Sequence, residues 1–261
     1  MKHDVLESII SIAMNAGNHI LHYYDNRDFS ISEKKDSHDL VTDVDRESQQ
    51  IISTELNSRF PEIPIIGEED KDITKEEHAF FIDPLDGTLN FVKQIPFFTV
   101  SIGYWKGNEP ICGVVFDPIR KDLFYSRKGT GSYLNGKKIR VSNINNGKYQ
   151  LLASDWGHEP HYYEKNIVTI QHLLKESFYL FRFMGCASLA ICYVAAGILD
   201  GYWHYKLSPW DMAAGVLIAR EAGASVTSTN GKPFELWQGD ILVAEPDIKD
   251  SILPVFNNIN I

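Results

Sequence analysis

The densest chemistry in the chain lies in residues 80–91, FFIDPLDGTLNF, where Asp83 and Asp86 flank a proline bend and Gly87-Thr88 follows at once. Two carboxylates at the end of an apolar strand, followed by free backbone N–H groups, suit a hard cation beside an anion such as phosphate. An acidic turn with Asp83 as a helix cap explains the same residues as well. Other acids have to decide. Glu68 stands in Gly67-Glu68-Glu69-Asp70, behind the apolar run 63–66, and Asp211 opens the apolar stretch Trp210-Asp211-Met212-Ala213-Ala214-Gly215-Val216. Asp43 and Asp45 precede a helical pattern, at the end where the helix dipole favours carboxylates. Capping explains one of them; the pair invites a second role, as proton acceptor or outer ligand of a cation.

The elements that would position these acids follow from periodicity. Apolar residues at Val5, Ile9, Ile12, Ala13, Ala16 and Ile20 predict a helix over 4–24, and Ile51, Ile52, Leu56 and Phe60 one over 46–60 stopped by Pro61. Between them lies a polar connector with Lys34-Lys35, either solvated or reaching a bound anion. Runs 63–66 and 79–82 read as strands, the second broken at Asp83-Pro84, with a charged loop 71–77 between them and a short helix over 88–94. Short β-prone runs at 99–105, 111–116, 122–126 and 131–134, separated by turn residues, predict an antiparallel meander in the same sheet. The polar stretch 142–148, SNINNGK, suggests a boundary between an α+β lobe, 1–145, and an α/β lobe, 146–261. The second lobe alternates strands at 151–154, 179–181, 201–204, 225–227 and 241–244 with helices at 162–175, 188–196 and 210–222. Neighbouring strand ends lie ~4.8 Å apart, so Glu68 and Asp83 can converge. Asp211 would close the site from the second lobe, although as a simple N-cap it would contribute ~1 kcal/mol.

Composition bounds the partners. With 261 residues and a formal net charge of −10, the chain lacks the overall basic balance of a general nucleic-acid binder. An anionic substrate would need help from metals or from a few Lys and Arg. Cys112, Cys186 and Cys192 are scattered, with no CxxC pair, which argues against a disulfide framework or a zinc site. The start, MKHDVLESII, lacks a signal-peptide pattern, and no apolar run reaches the ~18–20 residues of a membrane span. A cytoplasmic protein, binding neither nucleic acid nor membrane, is expected.

In order along the chain, DLVTDVD at 39–45, GEED at 67–70, DPLDGTLNF at 83–91, GTGSYLNG at 129–136 and WDMAAGVLIAREAGA at 210–224 resemble the inositol monophosphatase family of metal-dependent, lithium-sensitive phosphatases. The resemblance implies a layered αβαβα sandwich of the inositol monophosphatase/fructose-1,6-bisphosphatase type, commonly a homodimer, acting on a small phosphorylated metabolite. It implies two or three Mg2+ ions held by Glu68, Asp83, Asp86, Asp211 and the carbonyl of Leu85, so that Leu85, Asp86 and Asp211 also face the substrate. The N–H groups of Gly87 and Thr88 would hold the phosphate, and Glu68, Thr88 and Asp45 would orient and deprotonate the attacking water.

Substrate choice is expected in the second lobe. Residues 182–188, RFMGCAS, resemble the family's turn before a helix. The N–H groups around Gly185 and Ala187 would hold a sugar hydroxyl or a second phosphate there, or the turn simply caps the helix. His204 stands where inositol-specific members carry Glu, seven residues before the metal-binding Asp; His can donate, and is cationic below ~6.5. A strand-end residue with an unrelated hydrogen bond is the plainer alternative. Three functions are expected: a broad Mg2+-dependent inositol monophosphatase; a phosphatase of NADP(H) 2′-phosphate, fructose 1,6-bisphosphate or 3′-phosphoadenosine 5′-phosphate, motivated by Arg182, His204 and Lys206; or a regulatory, protein-binding member. The four-carboxylate set speaks against the last, since a scaffold has no use for a costly acidic cluster.

Overall fold

A computed structural model describes residues 4–33, 40–76, 78–143, 150–157, 159–176 and 180–259. Lys34, Lys35, Asp39 and most of the stretch 142–148 lie outside the described residues. In chain order the elements are α1 (Val5–Asn26), β1 (Ile31–Glu33), β2 (Leu40–Thr42), α2 (Asp43–Arg59), β3 (Ile65–Gly67), β4 (His78–Asp86), α3 (Thr88–Val92), β5 (Thr99–Lys106), β6 (Glu109–Asp117), β7 (Asp122–Arg127), β8 (Ser132–Leu134) and β9 (Lys137–Ile139). There follow β10 (Leu151–Ser154), α4 (Pro160–Glu176), β11 (Leu180–Phe183), α5 (Ala187–Ala195), β12 (Gly201–His204), α6 (Pro209–Glu221), β13 (Ser225–Thr227), β14 (Ile241–Ala244) and α7 (Pro246–Asn257).

These elements stack in five layers. α1 starts at Asp4, whose side chain accepts the Glu7 N–H, and buries the stripe Ile9, Ile12, Ala13, Ala16 and Ile20. With α2 it covers one face of a seven-stranded sheet, ordered β3 to β9 in sequence, parallel at β3–β4 and antiparallel elsewhere. The opposite face carries α5 and α6. Beyond these lies a five-stranded sheet, β11-β10-β12-β14-β13, with α4 and α7 outermost. This is the expected αβαβα sandwich. The two sheets use separate stretches of chain, yet α5 and α6 from the second stretch lie between them.

One local expectation is corrected, and two further elements, β9 and α7, join the fold. β4 does not break at Asp83-Pro84 but runs on to Asp86. Asp83 pairs with Ser101 and Asp86 with Thr99, so three steps on β4 oppose two on β5. A bulge of this kind tolerates the missing proline N–H and re-aims the neighbouring side chains. β9 follows β8 as a lysine-rich edge strand, a composition that protects an edge while weakening a strand signal. α7 contains Pro254, which reads as a helix breaker in sequence. All three cysteines are buried and free, and among the described residues no helix is long and apolar enough to cross a membrane.

One contact seats the helix that carries Asp211. Gly103 on β5 faces Gly113 on β6 across the ladder. A Cβ on Gly103 would lie 2.7 Å from the Ala213 backbone, and one on Gly113 2.7 Å from the Ala214 carbonyl oxygen. Two side-chain-free strand positions thus let α6 settle directly on the sheet. Gly103→Val should destabilise the protein by about 3 kcal/mol or more, because the clash is with backbone and cannot relax. Equilibrium denaturation reads it; a loss under about 1 kcal/mol would refute the close-contact account.

Candidate active site

The parallel β3–β4 register sets Gly67 opposite Ile82, and the Glu68 N–H donates to the Ile82 carbonyl at 3.2 Å, so Glu68 lies beside Asp83. The Asp83 carboxylate accepts the Leu85 N–H at 3.1 Å inside the bulge and also shares side-chain hydrogen bonds with Glu68 and Asp211. Both Asp86 oxygens accept backbone N–H groups from the first turn of α5, Ala187 at 3.3 Å and Ser188 at 2.7 Å. Asp211 accepts the Ser208 N–H at 2.8 Å at the start of α6. Asp211 is therefore not the N-cap, which is Ser208, but the third residue of α6 in a capping box with it, and it lines the cavity as well. Glu68, Asp83, Asp86 and Asp211, from three distant stretches, line one cavity of about 680 Å3 together with Leu85, Gly87, Thr88, Gly185, Ala187 and His204.

Asp45 stands behind this wall. It is fully buried, accepts the Thr42 N–H at 2.8 Å and the Thr42 hydroxyl, and accepts the Thr88 hydroxyl at 2.9 Å. Thr88 Oγ1 also lies 3.1 Å from the Leu85 carbonyl. Asp45 therefore reaches the cavity only through Thr88. Gly87 opens α3 with φ +94°, and a Cβ there would meet the Phe97 and Gly185 carbonyls at 3.0 and 3.1 Å, so only glycine fits this turn.

The second-lobe expectations fare differently. Arg182 is not brought to the cavity: it sits on the edge strand β11, exposed, with Nη1 donating to the Phe181 carbonyl at 2.8 Å. Lys206 Nζ reaches the Gln238 carbonyl at 3.4 Å and does not line the cavity. The Gly185 and Ala187 N–H groups are already engaged, the first by Asp155 at 2.6 Å and the second by Asp86, so they are not waiting for a sugar hydroxyl or a phosphate. His204 does line the cavity. Its Nδ1 accepts the Lys206 N–H at 3.0 Å, which makes the neutral ring an Nε2–H tautomer, a donor.

Sequence reasoning missed two residues that shape this wall. Asp155 accepts Met184 N–H at 2.7 Å, Gly185 N–H and the Tyr202 hydroxyl at 3.1 Å, and it lines the cavity. No motif surrounds it, so only the β10–β11 pairing reveals it. Asn90 Nδ2 donates to Phe97 and Met184 carbonyls at 2.8 and 3.0 Å, tying α3 to the same loop; it was hidden inside DPLDGTLNF as an unremarked helix residue.

Burial dominates the electrostatics. It pushes Asp83 and Asp211 well above the ordinary carboxylate value of 3.8, reinforced for Asp83 by Glu68, Asp86 and Asp211, and for Asp211 by Asp86 and Glu68. Burial also raises Asp86, against the hydrogen bonds from Ser188. Asp45 and Asp155 are each raised by burial to about 6, against their hydrogen bonds. Among the described residues no group of three or more His, Cys, Asp or Glu is already disposed to hold a metal ion; the acids are held by one another and by backbone N–H groups.

These shifts fix a pH dependence. A carboxyl raised in the native state adds stability below 3.8 that is lost as pH rises through its native value, about 6 for Asp45 and Asp155 and well above 3.8 for Asp83 and Asp211. In chelator, the melting temperature should therefore fall between about pH 5 and pH 8, and added Mg2+ should raise it more at the higher pH. Thermal melts at the two pH values test this; an Mg2+ shift that is larger at the lower pH would contradict it.

The inositol monophosphatase family matches residues 1–260. The Nus factor SuhB of Vibrio cholerae is 39% identical over 94% of this chain and 92% of its own. A fructose-1,6-bisphosphatase/inositol-1-monophosphatase of Aquifex aeolicus is 36% identical over 85% of this chain and 84% of its own. Among solved structures, the extragenic suppressor protein SuhB from Bartonella henselae matches with a TM-score of 0.90 at 32% identity, covering 97% of this chain and 98% of that one. Motif order, layered fold and relatives agree, and this chain belongs to the inositol monophosphatase family.

Proposed function

We propose that the protein is a Mg2+-dependent phosphomonoesterase with inositol monophosphate among its substrates. One observation carries this reading: the cavity is lined by Glu68, Asp83, Asp86, Asp155 and Asp211, with no Lys or Arg among its described lining residues. A phosphate dianion enters such a cavity only together with cations. The donors fit Mg2+, being the oxygens of Glu68, Asp83, Asp86, Asp211 and the Leu85 carbonyl. Cys186 also lines the cavity, but burial raises its pKa well above the ordinary thiol value, so it remains a neutral thiol and a poor ligand. Two or three Mg2+ ions bound there would offset the charge on the phosphoryl and leaving oxygens and activate the attacking water.

The chain's own residues supply the rest. Thr88 donates its proton to Asp45, leaving its oxygen to accept a proton from the attacking water. Asp45, at about 6, is matched to take that proton near neutral pH. Glu68 orients the same water. The N–H groups of Gly87 and Thr88, at the sharp turn into α3, hold a phosphate oxygen. His204 lines the cavity on the side of the substrate alcohol. Doubly anionic substrates lose two of their three supports, since Arg182 and Lys206 lie off the cavity. Homodimer formation, carried by the resemblance alone, is part of the proposal and is read by sedimentation.

A second reading, a regulatory protein, is favoured by one observation: the Vibrio cholerae relative is named a Nus factor. Asp83→Asn bears on both readings. It removes the acid at the centre of the repulsion, so phosphate release from inositol 1-phosphate should fall by about 10³-fold or more while the metal-free protein melts several degrees higher near pH 8. Undiminished Mg2+-dependent turnover would remove the metal assignment, and absent wild-type turnover with any phosphomonoester would leave the regulatory reading. Thr88→Ala should lower kcat about 10²-fold with little change in KM.

A further inference from the structure

Met184 and Gly185 form the turn that joins β11 to α5, and both residues are held by their N–H and by their carbonyl groups. On the N–H side, one oxygen of Asp155 accepts Met184 at 2.7 Å and Gly185 at 2.6 Å, while the other accepts the Tyr202 hydroxyl at 3.1 Å. On the carbonyl side, Asn90 Nδ2 lies 3.0 Å from the Met184 oxygen, 3.2 Å from that of Gly185 and 2.8 Å from that of Phe97. Consecutive N–H groups aimed at one point form a concavity for an anion. Here the chain fills it with its own carboxylate.

The two holders come from different sheets. Asp155 directly follows β10 of the five-stranded sheet, and Asn90 sits in α3, which leaves β4 of the seven-stranded sheet. The turn between them is a strut across the cavity, and it touches the site at two places. The Gly185 carbonyl closes over Gly87, where a Cβ would come within 3.1 Å of it. Just beyond Cys186, α5 begins, and its Ala187 and Ser188 N–H groups hold the two oxygens of Asp86 at 3.3 and 2.7 Å. Those donors meet Asp86 only while the turn ahead of them is correctly set. Asp155 itself touches neutral donors only, so ion pairing is not what it supplies.

We propose that Asp155 is a positioning residue of the reaction, acting through the Met184-Gly185 turn to set Asp86 and the Gly87 turn in register with the other acids. The inference deepens the phosphomonoesterase reading and rests on it. What counts is acceptor geometry, not charge. An asparagine keeps that geometry, because one Oδ1 has lone pairs for both N–H groups and the amide can donate to the Tyr202 oxygen. An alanine leaves the two N–H groups to a water from the cavity, which satisfies them without tying the turn to β10.

The test combines calorimetric titration with Mg2+, well below the melting temperature, with initial rates on inositol 1-phosphate. In Asp155→Ala the Kd for Mg2+ should rise about tenfold and kcat at saturating Mg2+ should fall ~10- to 100-fold, the scale of loss that a displacement of about 1 Å brings. Asp155→Asn should stay within about threefold of the wild type on both. Asn90→Ala, which frees the carbonyl side, should shift both constants in the same direction as Asp155→Ala. In the double variant the losses should fall short of the product of the single ones, because both residues act through one turn. A brace that only stabilises the fold would lower the melting temperature and move neither constant, and that outcome overturns the inference. Losses that multiply in the double variant overturn it too, as does an Asp155→Asn as impaired as Asp155→Ala, which would make charge responsible. Should Asp155→Ala not fold, Asn90→Ala and Asp155→Asn decide by the same two constants. If the wild type hydrolyses no phosphomonoester, the phosphatase reading fails separately, and the Mg2+ titrations alone judge the positioning role.

Discussion

The constraint on which this structure turns is the confinement of like charges around Asp83. Two unit charges about 4 Å apart cost roughly 4 kcal/mol at an effective dielectric constant near 20, and Asp83 feels Glu68, Asp86 and Asp211 at once while buried. No Lys or Arg among the described lining residues offsets them. The surrounding fold has to hold the acids against this repulsion: a parallel strand pair that fixes Glu68 beside Asp83, a bulge that lets Asp83 and Asp86 share one wall, and a helix seated on two glycines that delivers Asp211. Each of these is a backbone device. Side chains alone would swing the charges apart.

The acids are also tethered by ordinary structural work. Asp86 accepts the first N–H groups of α5, Asp211 accepts at the start of α6, and Asp45 forms a capping box with Thr42 at the start of α2. Helix N-termini carry partial positive charge and unsatisfied donors, so each acid is oriented before any cation arrives. Asking whether such a residue is a cap or a ligand poses a false choice. The cap is what aims the remaining lone pairs.

Much of this was legible in the residues, for identifiable reasons. The helices α1 and α2 and the meander β5–β8 announce themselves by period, and Glu68 and Asp83 converge because neighbouring strands must lie side by side. The bulge across Pro84 was not legible, since a proline reads as an interruption and the pairing that absorbs it lies on β5. Arg182 misled because nearness to a motif in sequence says nothing about direction: on an edge strand its guanidinium lies off the cavity and donates to the carbonyl of the preceding residue, Phe181. Asp155 was invisible for the converse reason, a lone acid whose partners, Met184, Gly185 and Tyr202, become neighbours only when β10 pairs with β11 and β12.

The same hydrogen bonds explain why the chemistry is easier to read than the substrate. At the floor, burial and repulsion permit few residue types, so the acids form motifs. Across the cavity, the backbone donors that a sugar or second phosphate would use are occupied, Gly185 by Asp155 and Ala187 by Asp86. The polar recognition left in that part of the cavity is narrow. Discrimination then falls to shape and apolar contact, which no short motif encodes. It depends on which rings α4 and the ends of β10 and β11 present. Here those are Trp156, Phe183 and Tyr163, which pack on one another beside the turn that Asp155 ties down.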